Sequence, residues 1–177
     1  KIVTDRFHVV KLVMEALQHV RVEYRWKAIE DENKAIEIAK KNGVKHKAVI
    51  LSNGDTTKQL LARSRYIIAK KPKDWTEHQK QRAELLFNLY PIIESAYKHT
   101  LEFRNIYEEK CKTRADKRFK HWFKDTQKLR IKNFNTAVNS IKNHYENILN
   151  FFDNRNTNEN AESLMPKLNS LEQTKEV

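Results

Sequence analysis

The side chains with the plainest chemical purpose in this 177-residue chain are cationic. Ten basic residues fall between Lys110 and Lys132, against two acids, Asp116 and Asp125, so this segment carries eight of the twelve net positive charges. Lys117, Lys120, Lys124 and Lys128 recur at three- and four-residue spacing, which places them on one face of a helix. Such a face, extended by Arg130, suits a DNA backbone, because each phosphate it neutralises releases condensed counterions. Contacts of this type position a duplex without reading its sequence. The competing reading is a solvated face on a helix whose Phe119 and Trp122 enter a core.

Near the start of the chain, Asp5 and His8 stand three residues apart, so a helix beginning there brings them to one side. Taken alone, Asp5 is a strand-end or helix N-cap carboxylate, and His8 is a histidine hydrogen-bonded within a core. Arg6 and Phe7 read as a surface charge and a core aromatic. Cys111 lies between Lys110 and Lys112, a setting that lowers a thiol pKa. As the sole cysteine it excludes an intrachain disulfide, and nothing points to secretion. The sequence offers no Gly-rich phosphate loop and no Ser-His-Asp arrangement. No apolar run approaches the ~18 residues of a membrane span, so no membrane partner is expected.

The elements that must hold these residues are mostly helices. Only two Gly and three Pro interrupt a chain that is 33% charged, a composition that favours helix. Asp5 opens a long helix with Val10, Val13, Leu17, Val20 and Tyr24 on one face, stopped at Asn42-Gly43. Asp55 is placed to cap a short helix through Ala62. Thr76 and Gln79 form a capping box for a helix to about Leu89, and Pro91 suits the first turn of the next. A further helix is expected over Asp116 to Lys132. Phe134, Val138, Ile141, Tyr145, Ile148, Leu149 and Phe152 predict one helix of five turns. Strands are expected at Lys1–Thr4 and Arg65–Lys70, and Ala48–Leu51 is ambiguous between strand and helix.

The opening run Ile2-Val3-Thr4-Asp5-Arg6-Phe7-His8-Val9-Val10-Lys11 resembles the bacterial transposase family called ISL-three. In that family an aspartate ending a strand is followed by x-Phe-His-Val. Ser64-Arg65-Tyr66-Ile67-Ile68 resembles a strand of the same family. The helical region from about 75 to 130 lies where the family has a helical insertion. Asn154 to Ser163 resembles its Thr-Asn-x-x-x-Glu-Ser segment.

The resemblance implies an RNase H-like catalytic domain, here a partial one: mainly α with two or three short strands and a helical insertion. It divides the chain into a partial core over 1–74, a helical insertion over 75–132, and a helix and loop carrying Glu162 over 133–163. It implies DNA cleavage and joining by two in-line displacements at phosphorus, assisted by Mg²⁺ or Mn²⁺ on carboxylates. Asp5 and Glu162 would be the second and third acidic ligands, with His8 near the scissile phosphate as a proton donor or phosphate contact. The first acid is expected upstream of Lys1, so the chain reads as a fragment unable to cut DNA alone. DNA, both element ends and target, is the implied partner, with self-association through unpaired apolar faces and a location in the bacterial cytoplasm. The alternative is a basic helical DNA-binding module without catalysis, and a third reading is a helical scaffold with a solubilising surface. Residues 164–177 read as a frame-shifted, disordered tail. One choice of synonymous codons, displaced by a nucleotide, encodes a basic segment with a terminal Gly.

Overall fold

The computed structural model describes residues 4–153, and every regular element among them is helical. Helix α1 spans Arg6–Lys41, and its 36 residues make a rod about 54 Å long. Then follow α2 (Thr57–Arg63), the short α3 (Arg65–Ile68), one 3-10 turn (Pro72–Asp74), α4 (Glu77–Leu89), α5 (Pro91–Ile106), α6 (Lys112–Leu129), α7 (Lys132–Asn143) and α8 (Tyr145–Asp153). The first half of α1 packs on α5, α7, α2 and α3 and buries Val9, Val13, Ala16, Leu17 and Val20. Arg21 Nη1 donates to Leu61 O at 2.9 Å, satisfying a carbonyl near the end of α2. From Val22 onward no residue of α1 is buried. Helix α6 lies between α5, α7 and α8, and one apolar core runs through the assembly.

Local chemistry explains most boundaries. Asp5 caps α1 by accepting from Phe7 N at 2.9 Å. The helix ends at Asn42, followed by Gly43 at φ +67°, a left-handed position that glycine takes without a Cβ penalty. Thr56 and Thr76 each form a full capping box, with Gln59 and Gln79. The expected box at Thr76 is therefore present, whereas the cap of α2 falls to Thr56 rather than Asp55.

The expected sheet is a correction. No strand occurs among the described residues, and the partial RNase H-like sheet is not seen; Ile50 and Thr56 form only an isolated bridge. The run at Arg65–Lys70 is helical instead. Ile67 and Ile68 are both buried while Tyr66 is exposed, a pattern that strand alternation cannot give. The amides of Ile67 and Ile68 both bond Ser64 O, so the turn is closed locally. The expected strand at Lys1–Thr4 has only Thr4 within the described residues, and Thr4 N donates to Asn147 O. The single five-turn helix is split at His144 into α7 and α8, although its apolar face is kept: Phe134, Val138, Ile141, Ile148, Leu149 and Phe152 are all buried. Residues 154–177, which include Glu162 and the expected tail, lie outside the described residues.

Asp55 ties α2 to α4. Its carboxylate is 1% exposed and is paired with Arg63 and with Arg82, whose Nε lies 2.9 Å away. Asn53 Nδ2 donates a third bond at 2.9 Å. Burial raises the carboxyl's pKa, but the hydrogen bonds from Arg82 and Asn53 and the two guanidinium charges outweigh it and hold it below its ordinary value. Removing one partner of such a cluster strands the others, so Asp55→Ala should lower stability by about 3–5 kcal/mol in urea denaturation. A loss under about 1 kcal/mol would show the cluster to be an ordinary surface pairing.

His99 is a buried titratable group of the core. Its ring stacks on Trp122 at 4.4 Å and 10°, and its Nε2 lies 2.6 Å from Thr126 Oγ1. The Thr126 hydroxyl already donates to Trp122 O, so His99 Nε2 must carry the hydrogen in that contact. Burial pushes the His99 pKa down to about 4. A folded pKa below the unfolded value means the unfolded chain binds the extra proton between the two. Stability is thus fully present above about 6.5 and falls as pH drops toward 4. The melting temperature of His99→Phe should be less sensitive than wild type across that window. An unchanged pH profile would remove His99 as its source.

Candidate nucleic-acid interface

Helix α6 is amphipathic by construction. Ala115, Phe119, Trp122, Phe123 and Thr126 are buried on one side. Phe119 contacts Phe103, Tyr107 and Phe152, and Phe123 packs on Tyr145. At 100° per residue, Lys117, Lys120, Lys124 and Lys128 then point the opposite way, and all four are exposed. The structure therefore brings four of the five expected DNA-binding cations onto one outward face. Phe119 and Trp122 are core, as the competing reading expects, and the exposed lysine stripe is the geometry from which both readings start.

The cations of the segment divide into two groups. Arg118 is bound to Glu102 at 2.6 Å and to Glu109 at 2.7 Å, and Lys112 to Asp153 at 2.7 Å. These link α6 to α5, to the turn after it and to α8. On the outward face, Lys120 meets Asp116 at 2.8 Å and Lys128 meets Asp125 at 2.6 Å. Exposed pairs of this spacing are weak and exchange readily for another anion. Lys117 and Lys124 make no ion pair among the described residues. Arg130 leaves the stripe. It is the C-cap of α6 in the left-handed region, φ 55°, and lines a cavity at the α6–α7 corner with Lys27, Lys132 and Tyr24.

Asp5 and His8 are brought together, with His8 Nδ1 3.0 Å from Asp5 Oδ2. His8 is exposed, not held within the core. The hydrogen bond from the Phe7 amide, aided by His8, holds the Asp5 carboxyl below its ordinary range. An ionised carboxylate with unused lone pairs has the right donor chemistry for a hard dication such as Mg²⁺ or Mn²⁺. No group of three His, Cys, Asp or Glu able to hold a metal occurs among the described residues, and Glu162 lies beyond them. Among the described residues, Asp5 and His8 therefore stand as a pair without a third such group beside them.

A second cationic group escaped the sequence. Arg6, Lys71 and Arg104 line a cavity of about 270 Å³ with Phe7, Val10, Met14, Ala69 and Glu108. Phe7, expected in the core, is 79% exposed. Residues at 6, 71 and 104 carry no joint spacing signal; the adjacency of Phe7 to Asp5 was the only available hint. Cys111, also exposed, occupies the N-cap position of α6.

Among the described residues no helix is long and apolar enough to cross a membrane. A family model for DDE transposases of the ISL-three type, described as Transposase, matches residues 1–174. The matched span runs past Ser163, where the resemblance read from the sequence was expected to end. No curated protein and no solved structure matches the chain.

The double duty of Asp5 can be separated experimentally. Asp5→Ala removes the N-cap and should lower the melting temperature, whereas Asp5→Ser keeps a capping oxygen and should restore it while removing the carboxylate. Equal melting temperatures for all three proteins would show that the cap contributes nothing to the fold.

Proposed function

The chain belongs to the ISL-three family of DDE transposases, and from that premise we propose that it contacts DNA through the lysine face of α6 and contributes Asp5 to the family's metal-dependent strand chemistry. DNA transposition is the activity class of the family. The observation that carries the DNA reading is the outward stripe of Lys117, Lys120, Lys124 and Lys128, fixed in direction by the buried aromatics behind it. A rigid helix presenting cations along roughly 16 Å of its length can follow successive phosphates of a backbone.

Asp5 and, by the family resemblance, Glu162 would hold Mg²⁺ or Mn²⁺. When bound, such ions stabilise the attacking and leaving oxygens of an in-line displacement at phosphorus. The part of Asp5 is to stay ionised and fixed at the mouth of α1, which its bond to the Phe7 amide favours. His8 sits against the same carboxylate and is oriented by it, in reach of a phosphate or leaving oxygen beside Asp5.

Fluorescence anisotropy with a blunt duplex, titrated from about 50 to 200 mM salt, tests the interface. The wild-type chain should bind at low salt and weaken steeply. Replacing Lys117, Lys120, Lys124 and Lys128 together by Gln should lower the slope of log K against log salt by about 3–4, near 0.9 for each lost phosphate contact. Among single variants, Lys117→Gln and Lys124→Gln should cost more than Lys120→Gln and Lys128→Gln, whose lysines already have a carboxylate. Absence of binding at low salt, or an unaltered slope in the quadruple variant, would refute the interface.

A further inference from the structure

We propose that the cavity walled by Arg6, Lys71 and Arg104 holds a single-stranded DNA end, with a phosphate among the cations and an unpaired base stacked on Phe7. The proposal rests on the DNA reading above and names a second contact that the lysine face cannot make.

Three elements build the cavity: the first turns of α1, the link after α3 and the end of α5. Arg104 Nη1 donates to Ala69 O at 3.4 Å, which leans the α5 guanidinium toward that link. Arg6 lies over the Tyr107 ring, its Cζ 5.8 Å from the centroid. The aromatic face steadies the guanidinium and leaves its donors unused. Lys71 reaches Glu108 at 3.7 Å, a long pairing with a half-exposed carboxylate. Arg6 and Arg104 have no carboxylate partner among the described residues. Two partly buried guanidinium groups and one ammonium thus share a single acid. Each guanidinium presents a planar fork of donors that matches a phosphate.

Phe7 decides what kind of anion. Its ring is 79% exposed although it stands only two residues after the Asp5 cap, at the rim of the same cavity. A large apolar side chain left in water beside a cluster of cations is complementary to a ligand that is flat, apolar on its face and anionic at its edge. A nucleotide meets that description, whereas inorganic phosphate offers nothing to the ring and an apolar protein surface nothing to the arginines. Inside a duplex the base faces are already stacked on one another, whereas an unpaired base offers its face freely to the ring. Val10 and Met14 give the cavity an apolar wall on the Phe7 side. An end held there lies next to the carboxylate whose Oδ1 receives the Phe7 amide.

The test uses the full chain and two labelled oligonucleotides that share one duplex, one blunt and one with a short single-stranded overhang. The wild type should prefer the overhang by about tenfold, the scale of one base stacked on an aromatic ring. Phe7→Ala, and separately Arg6→Gln with Arg104→Gln, should erase that preference and leave binding of the blunt duplex unchanged. Phe7→Trp should keep it. The exposed ring makes Phe7→Ala safe for folding, and an unaltered melting temperature confirms this. Blunt binding with no overhang preference in the wild type, or a preference untouched by both variants, overturns this cavity and leaves the lysine face standing. Failure to bind either oligonucleotide at low salt overturns both. A concentration-dependent dimer that Phe7→Ala dissolves would assign the ring to a second copy and likewise overturn the proposal.

Discussion

The rotation of α6 about its own axis is set by one buried indole. Trp122 donates its Nε1 hydrogen to His99 O at 2.9 Å and lies flat on the His99 ring. An indole can be withdrawn from water only where its N–H finds an acceptor, so the helix has essentially one acceptable orientation against α5. Phe119 and Phe123 follow into the aromatic cluster on either side. The lysines have no choice left: at helical spacing they stand on the far side. The direction of the charge is thus a consequence of core packing and would survive changes in the lysines themselves.

That constraint also explains why so many cations of one segment differ in role. Residues at the flanks of the buried stripe, such as Arg118 and Lys112, meet the carboxylates of neighbouring helices and hold α6 in place. Residues diametrically opposite the stripe meet only acids of their own helix or none. A count of charges cannot separate the two groups, because the separation depends on the angle each side chain makes with Trp122.

The parts of the fold legible in the sequence are those decided within one turn of chain. The Thr76 capping box, the Asn42-Gly43 stop and Pro91 at the start of α5 all act on neighbours three or four residues away. The apolar run at Tyr66-Ile67-Ile68 was not legible, because a short run fits strand and helix equally until its partners are known. There the Ser64 carbonyl closed a turn instead. Within the lysine face the spacing placed four residues together and said nothing of Arg130, where the chain turns left-handed to leave α6. Asp55 shows the other limit. As a cap it looked local, but its second arginine is 27 residues away on α4, a pairing that no window of sequence contains.

The start of α1 joins fold and chemistry most closely. Asp5 is one residue with two duties: its Oδ1 ends the helix and its Oδ2 meets His8. A cap is held in place by the helix it caps, so the carboxylate is fixed by the same packing of Val9 and Val13 that anchors the rod on α5 and α7. The next turn then has to present whatever side chains follow. Val9 and Val13 take the buried side, so the helical period turns Arg6, Phe7, Val10 and Met14 toward the cavity beside α5, and His8 away from it. A carboxylate held at a rigid position, an aromatic ring left in water and a guanidinium beside it all descend from one requirement, that this end of the longest helix among the described residues be capped and pinned.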